Sequence, residues 1–427
     1  MTRTTDPTGA TDPTGTRTGA VLAVGDELLL GDVVNTNASW LGGALAGVGV
    51  QVVHSAAVGD DVVRLATALR RALEDADVVV LCGGLGPTSD DRTRQALALV
   101  ADAPLERHAG LEARLREQFT SFGYAMPEPV LQQADVPRGA GTLSNPVGTA
   151  PGLRLEVGGR LVYALPGPPH ELRAVCEAHV LPELARLTRA AVTTLTLRCA
   201  GVGEPVVAER VEGAVSVPAG VDLAYLAGGG VVRVRFSTGG DPAVLDPLVQ
   251  AAAAALGDDV FGDVSGRGEA ALPEVVADLL ARRGETVATA ESLTGGLLGA
   301  ALTGHAGASA AYRAGLIVYA TQTKHDLAGV PEEVLAEHGA VSVETATALA
   351  QGARTRTGAD WGLSTTGVAG PDEQEGQPVG TVHVAVAGPG GTRTRSVRLP
   401  GDRERVRALA VTTALDLLRR AAAEVAV

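Results

Sequence analysis

The stretch TVATAESLTGGLLGAALT, residues 286–303, decides how the rest of the chain is read. It opens as a strand of small and β-branched residues, Thr286 to Ala290, and passes through a hydroxyl-bearing turn at Glu291, Ser292 and Thr294. Two glycines, Gly295 and Gly296, then open a helix with Leu297, Leu298 and Leu302 expected to face inward. A serine at the carboxyl end of a strand and the amino end of a helix lies where free backbone N–H groups and the helix dipole favour anions and developing oxyanions. Such a turn either starts a capped helix or presents a nucleophile. The sequence that follows favours the second reading. Tyr319 and Lys324 fall in IVYATQTKHDLAGV, a second strand-to-helix turn, and the glycine-rich STTGVAGP, residues 364–371, closes a third. Three polar strand ends in one α/β unit share one rim of a sheet, the usual ligand edge.

A chain of 427 residues suits two or three domains. Hydrophobic residues at 45% and charged residues at 20% allow cores throughout. The net charge of −14 argues against a general nucleic-acid surface, which needs a clustered basic field, and 3% aromatics leave little for base stacking. Cys82, Cys176 and Cys199 are too few and too scattered for a disulfide framework or a CxxC metal knuckle, so a reducing cytoplasm is expected. No amino-terminal apolar leader and no uninterrupted apolar run of about 18 residues is found, so no membrane association is expected.

Residues 1–18 repeat TDPTG and lack apolar side chains, the composition of a disordered tail. From Gly19, strands alternate with amphipathic helices. GAVLAVG, VQVVHSAAV and DVVVLCGG read as strands; Ala38, Leu41, Leu45 and Val48, then Val62, Leu65, Ala66, Leu69 and Leu73, make helical stripes. This βαβαβ order predicts a parallel sheet with helices on both faces. Polar residues mark the strand ends: GDELLLG after the first, with Asp26 and Glu27, and GGLGPTSDD after the third. Gly83, Gly84 and Gly86 let the backbone approach a ligand. Asp90 and Asp91 begin the following helix, where they either cap it or, with Glu27, hold a divalent cation bridging phosphates.

LRLEV and RLVYAL, joined by Gly158-Gly159, form a hairpin. In LPGPPHEL, His170 is either a ligand or a helix-start contact, and a helix from Pro169 to about Ala185 ends the first domain, residues 19–188. Residues 189–266 read as a small α+β module with no catalytic constellation. After the linker-like GDVSGRGEA, a last α/β domain occupies residues 267–427. Its closing helix carries Arg403, Arg405 and Arg407 in its first turns, where cations oppose the dipole. Either a substrate phosphate or the neighbouring Asp402 or Glu404 compensates them.

GDELLLGDVVNTNASWL, GGLGPTSDD, NPVGTAPG and LPGPPHEL, together with AESLTGG, TTGVAGP and PGDRERVR, resemble the motifs of the CinA family, the competence/damage-inducible proteins, in the same order and over nearly the whole chain after the tail. The first domain is similar to molybdopterin-binding-type domains, the middle module to the KH-like insert of the longer family members, and the last domain to nicotinamide-nucleotide amidases. The resemblance implies two three-layer α/β domains with mostly parallel sheets, joined by the α+β module, and a homodimer of such chains as the assembly. It implies two activities as well: deamidation of nicotinamide mononucleotide to nicotinate mononucleotide and ammonia by the last domain, and cleavage of ADP-ribose to AMP and ribose 5-phosphate by the first. Two other readings compete: a pterin-binding or adenylyl-transferring protein of molybdenum-cofactor assembly, and a non-enzymatic accessory of DNA uptake or recombination.

Amide hydrolysis needs a nucleophile, a base and an oxyanion site. Ser292 is the expected nucleophile. His305, His325 and His338 are not placed by any motif, so Lys324 is the expected base, with Tyr319 relaying the proton or orienting the amine; the family's amidases have a serine with this Tyr and Lys spacing. A lysine serves only when desolvation or a nearby cation leaves it partly neutral. Substrate contacts are expected from Glu291, Thr294, Gly295, Gly296, Thr366, Gly367, Ala369, Gly370 and Arg403, and no cofactor is needed there. In the first domain they are expected from Asn35, Gly83, Gly84 and Gly86, with Mg or a similar divalent metal on Asp90, Asp91 and Glu27. The sequence departs from the family twice. Leu293 stands where ESCTGG has cysteine, a side chain that either packs or shapes the nicotinamide pocket, and Ser89 stands where lysine is frequent.

Overall fold

The computed structural model describes residues 17–121, 123–188 and 192–424. Residues 1–16 of the expected tail lie outside these. Arg17 and Thr18 already belong to the first strand, Arg17–Val24, because the Thr18 N–H and hydroxyl both bond the Asp77 carboxylate, at 3.0 and 3.1 Å. The chain divides into two compact units, Met1–Thr193 and Thr194–Val427.

The sheet of the first unit runs, edge to edge, Val50–Val58, Arg17–Val24, Val78–Cys82, Arg160–Leu165, Gly152–Val157 and Gly141–Leu143. The first four strands are parallel and the last two antiparallel. Strand side chains alternate between faces, and the packing follows that alternation. Val21, Ala23, Val78 and Val80 pack with Leu41 and Leu45 of helix Thr36–Gly47. Ala20, Leu22, Val79 and Leu81 pack with Leu65 and Leu69 of helix Val62–Asp75. Both faces are therefore covered, which is why the central strands read as continuous apolar runs. The expected hairpin closes at Gly158 and Gly159, with Val157 opposite Arg160.

In the second unit a five-stranded sheet runs Tyr312–Ile317, Val287–Glu291, Trp361–Gly367, Thr381–Gly388 and Gly391–Arg398. The first three strands are parallel, so their carboxyl ends lie side by side; the last two are antiparallel. The middle module contributes a three-stranded sheet, Val221–Gly228, Val231–Thr238 and Thr193–Ala200. It packs on the closing helix Arg403–Glu424 within the same unit. Buried Asp416 of that helix binds Arg419 at 2.7 Å and Arg420 at 2.9 Å, and Arg420 reaches the Ala200 carbonyl and Asp259. Among the described residues no helix is long and apolar enough to cross a membrane.

Several local expectations are corrected. The key strand is Val287–Glu291, so Glu291 ends the strand instead of opening the turn, and the helix spans Leu297–Thr303. Leu298 and Leu302 are buried, but Leu297 is 39% exposed. Asp90 and Asp91 do not cap the next helix, which begins at Thr93 with Arg92 at its N-cap.

Candidate functional site

The rim formed by the three parallel strand ends carries a cavity of about 130 Å3. Ser292, Leu293, Tyr319, Gly367, Ala369, Gly370 and Arg403 line it, with Ala340 and Val341 on its lip. Its volume is below the ~300–1,000 Å3 of drug-sized ligand sites, so it has room for only part of a molecule of that size.

The turn bearing Ser292 is held from below by Glu291. This carboxylate is 1% exposed and accepts from the N–H groups of Gly296 (2.9 Å), Leu298 (3.0 Å) and Gly299 (2.8 Å) and from the Thr294 hydroxyl (2.8 Å). The strand end therefore caps its own following helix with a negative charge at the positive end of the dipole. Two expected substrate contacts are corrected by this arrangement: Glu291 and Thr294 are buried in the scaffold, the Thr294 hydroxyl also meeting Thr365 Oγ1 at 2.7 Å. Gly295 and Gly296 have φ of +57° and +99°, left-handed values that suit glycine, and both N–H groups are spent, on the Ser292 carbonyl and on Glu291. Thr366 is likewise structural, its hydroxyl donating to the Ala340 carbonyl at 2.6 Å.

Ser292 is 8% exposed, and its N–H donates to Thr365 O at 2.9 Å, leaving the hydroxyl at the cavity. Among the described residues the N–H groups of Leu293, Thr294, Ala369 and Gly370 meet no protein acceptor. Leu293 and Ala369 thus bring free donors to the cavity wall, the arrangement an oxyanion hole requires. Leu293 is 4% exposed and packs in the core with Leu298, Leu302 and Val406 while also lining the cavity, so the residue that replaces the cysteine does both.

Lys324 is 1% exposed. Its Nζ donates to the carbonyls of Val318 (2.9 Å) and Tyr319 (3.1 Å), and the Val318 N–H donates in turn to the Glu291 carbonyl at 2.8 Å. The amine is therefore anchored on the segment that adjoins the residue before Ser292. No hydrogen bond joins Nζ to the Ser292 hydroxyl or the Tyr319 phenol among the described residues. Burial lowers the Lys324 pKa from 10.5 to about 8, and the Glu375 carboxylate partly opposes that fall. Glu375 also accepts from the Ala340 and Val341 N–H groups, at 2.7 and 3.3 Å, so it braces the cavity lip.

Tyr319 is 58% exposed, and its phenol oxygen accepts from Arg403 Nη2 at 2.7 Å while Arg403 Nη1 donates to Gly370 O at 2.6 Å. Arg407 donates to the carbonyls of Leu293 (2.9 Å) and Thr294 (2.8 Å), clamping the turn behind the serine. The expected carboxylate partners are corrected here: Asp402 instead accepts the Arg405 backbone N–H at 2.9 Å, and neither Arg403 nor Arg407 forms an ion pair among the described residues. Of the two, Arg403 lines the cavity, as does Asp372. The roles of Arg407 and Glu375 are not visible in sequence, since both act on residues far away in the chain.

In the first unit, the strand ends frame a separate cleft of about 410 Å3, lined among others by Glu27, Asn35, Gly83, Gly84, Gly86, Asp90 and Asp91. Gly83 has φ +106°, and a Cβ there would stand 2.3 Å from the Val24 carbonyl oxygen, so only glycine fits. Asn35 Oδ1 caps helix Thr36–Gly47 through the Ala38 N–H at 3.0 Å. Asp91 accepts from the Gly86 N–H (2.7 Å), the Thr88 N–H (2.8 Å) and the Thr88 hydroxyl, so it shapes the glycine loop. Among the described residues no three His, Cys, Asp or Glu side chains are placed to hold a metal ion. Glu27 and Asp90 remain on the cleft wall, a donor pair that suits a cation arriving with phosphate oxygens and not a closed protein cage. His170 starts helix Pro169–Val175 in an exposed position.

Residues 269–422 match the CinA C-terminal domain, and residues 20–186 match a probable molybdopterin binding domain. A CinA-like protein of Frankia casuarinae is 49% identical over 415 residues, covering 94% of this chain and 95% of the relative. A CinA-like protein of Anaeromyxobacter dehalogenans is 43% identical over 406 residues, with 94% and 98% covered. A putative competence-damage inducible protein of Symbiobacterium thermophilum is 42% identical over 416 residues, with 93% and 97% covered. The solved structure of a CinA protein of unknown function from Thermoplasma acidophilum matches 40% of this chain and 99% of its own at 37% identity, with a TM-score of 0.38.

Proposed function

We propose, from the premise that this chain belongs to the CinA family, that its second unit hydrolyses the carboxamide of nicotinamide mononucleotide to nicotinate mononucleotide and ammonia. The observation that carries this reading is a cavity-lining Ser292 whose neighbour Glu291 is bonded through its carbonyl to the Val318 segment, the same segment that anchors a buried lysine with its pKa lowered to about 8. Ser292 Oγ attacks the carboxamide carbon and its proton passes to the neutral Lys324 amine. The N–H groups of Leu293 and Ala369 receive the oxyanion, and the C–N bond breaks as the leaving nitrogen takes the proton from Lys324 and departs as ammonia. Water then attacks the ester, restoring Ser292 and releasing the carboxylate. Tyr319, beside the Lys324 anchor and bonded to Arg403, orients the approach. Catalytic hydrogen bonds often tighten only once substrate is bound, which accommodates the present placement of Lys324 Nζ. Arg403, with no carboxylate partner, suits the nucleotide phosphate. Ammonia release from nicotinamide mononucleotide tests the reading: Ser292→Ala and Lys324→Ala are each expected to lose on the order of a thousandfold. Silent wild-type protein, or a fully active Ser292→Ala, refutes it.

For the first unit, the cleft and its glycine loop support cleavage of ADP-ribose to AMP and ribose 5-phosphate. Glu27 and Asp90 would hold a divalent metal with the phosphates; such an ion neutralises charge and activates water. The match to a molybdopterin binding domain favours a pterin as the competing ligand of this cleft.

A further inference from the structure

The turn that carries Ser292 is held by a side chain outside the cavity lining. Arg407, half-buried on the closing helix Arg403–Glu424, donates from Nε to the Leu293 carbonyl at 2.9 Å and from Nη2 to the Thr294 carbonyl at 2.8 Å. Among the described residues the Leu293 carbonyl has no other protein partner, whereas the Thr294 carbonyl also accepts from the Leu297 N–H at 3.2 Å. A cation in the first turns of a helix opposes the dipole, and no carboxylate pairs with this one among the described residues. Helix formation alone would therefore favour a neutral residue at this position.

In a planar trans peptide the carbonyl and the N–H of the next residue point in opposite directions. With the Thr294 carbonyl on Arg407, the Gly295 N–H points back toward the serine, and it donates to the Ser292 carbonyl at 3.1 Å. With the Ser292 carbonyl drawn into the turn, the Leu293 N–H points out of it; this N–H meets no protein acceptor and belongs to a residue on the cavity wall. The contact of Nε with the Leu293 carbonyl fixes the peptide plane on the other side of the same residue. Both planes that flank Leu293 are thus tied to one guanidinium, directly on one side and through Gly295 on the other. We propose that Arg407 is the positioning residue of the oxyanion site: it touches no reacting atom and sets the direction of the Leu293 N–H that receives the negative charge. The assignment rests on the amidase reading given above.

The probe is 3-formylpyridine mononucleotide, in which an aldehyde replaces the carboxamide. Ser292 Oγ adds to the aldehyde carbon, the serine proton passes to Lys324, and the former carbonyl oxygen becomes an oxyanion at the Leu293 N–H; no group leaves, so the adduct dissociates only by reversal. Its inhibition constant reports the oxyanion site, whereas that of nicotinate mononucleotide, which forms no bond to Ser292, reports ordinary binding. Both are measured on the full chain, beside ammonia release from nicotinamide mononucleotide. Arg407→Met is expected to lower kcat on the order of 100-fold, as for loss of one oxyanion donor, and to weaken the aldehyde by a similar factor. KM, inhibition by nicotinate mononucleotide and the rising limb of the pH profile are expected to stay as in wild type. Arg407→Lys, which places one nitrogen where two donated, is expected to fall between, and it decides the matter if a urea titration shows the methionine variant unfolded. A folded variant of either kind with wild-type kcat and wild-type aldehyde inhibition overturns the role of Arg407 while the amidase reading stands. Equal weakening of the aldehyde and of nicotinate mononucleotide also overturns it, since Arg407 then shapes the pocket as a whole. Wild-type protein that releases no ammonia sinks the amidase reading itself, and this assignment with it.

Discussion

Replacing Glu375 by glutamine is expected to move the pH dependence of ammonia release toward lower pH. Lys324 acts as a base only when unprotonated. With its pKa at about 8 instead of 10.5, about a tenth of it is neutral at pH 7, against roughly three parts in ten thousand for an ordinary lysine, a gain of about 300-fold. Wild-type kcat/KM for nicotinamide mononucleotide should therefore rise about tenfold per pH unit below about 8 and level off above it. Burial lowers this pKa, and the Glu375 carboxylate holds it up by favouring the ammonium form. Removing that charge lets the amine lose its proton at lower pH, so the rising limb shifts to the acid side and relative activity at pH 6.5 increases. Glutamine retains an acceptor for the Ala340 and Val341 N–H groups, so the cavity lip is expected to persist. The assay is initial-rate ammonia release for both proteins between about pH 6 and 9.5. A limb that does not move in Glu375→Gln, or a wild-type limb centred near 6.5 or above 10, refutes the assignment of Lys324 as the base.

Arg403→Gln is expected to raise KM for nicotinamide mononucleotide about tenfold while leaving turnover of nicotinamide riboside, which has no phosphate, unchanged; equal losses on both substrates rule out the phosphate role. Glu291→Gln removes the charge that receives three N–H groups and a hydroxyl, and a urea titration of the full chain should show the second unit destabilised by about 2–4 kcal/mol; an unchanged midpoint contradicts that account. Between about pH 8 and 10.5 the unfolded chain binds more protons at Lys324 than the folded one, so wild-type unfolding free energy gains up to about 3 kcal/mol across this window relative to Lys324→Met. A constant difference between the two proteins over that range contradicts the lowered pKa.

The strands and their parallel order were legible because burial on both faces requires continuous apolar runs, as in Val78–Cys82, and because short connections leave little topological choice. Ser292, Tyr319, Ala369, Gly370 and Arg403 were legible as residues at strand and helix ends, and they do line one cavity. What the sequence concealed was the direction of individual side chains. Glu291, Thr294 and Asp91 have the chemistry of ligand contacts, yet each turns inward to satisfy backbone donors or hydroxyls of its own turn. A period-2 or period-3.6 pattern does not distinguish these outcomes, since the partner atoms are N–H groups that every residue carries. The partners of Arg407 escaped for a related reason: it acts on carbonyls 113 and 114 positions earlier.

The way a buried charge is satisfied distinguishes Asp416 and Glu291 from Lys324. Asp416 and Glu291 are fully buried charges, and each is surrounded by donors, three arginines in one case and three N–H groups with a hydroxyl in the other. Their burial is compensated within the chain, and nothing further is required of them. Lys324 is buried to the same degree without that compensation: it meets two neutral carbonyls and no bonded carboxylate. Folding alone would favour an apolar residue at that position. Its anchor, the Val318 and Tyr319 carbonyls, belongs to the segment whose Val318 N–H bonds the Glu291 carbonyl, next to the Ser292 turn, and burial lowers its proton affinity there. The pH profiles of wild type and Glu375→Gln test whether that lowered affinity is used.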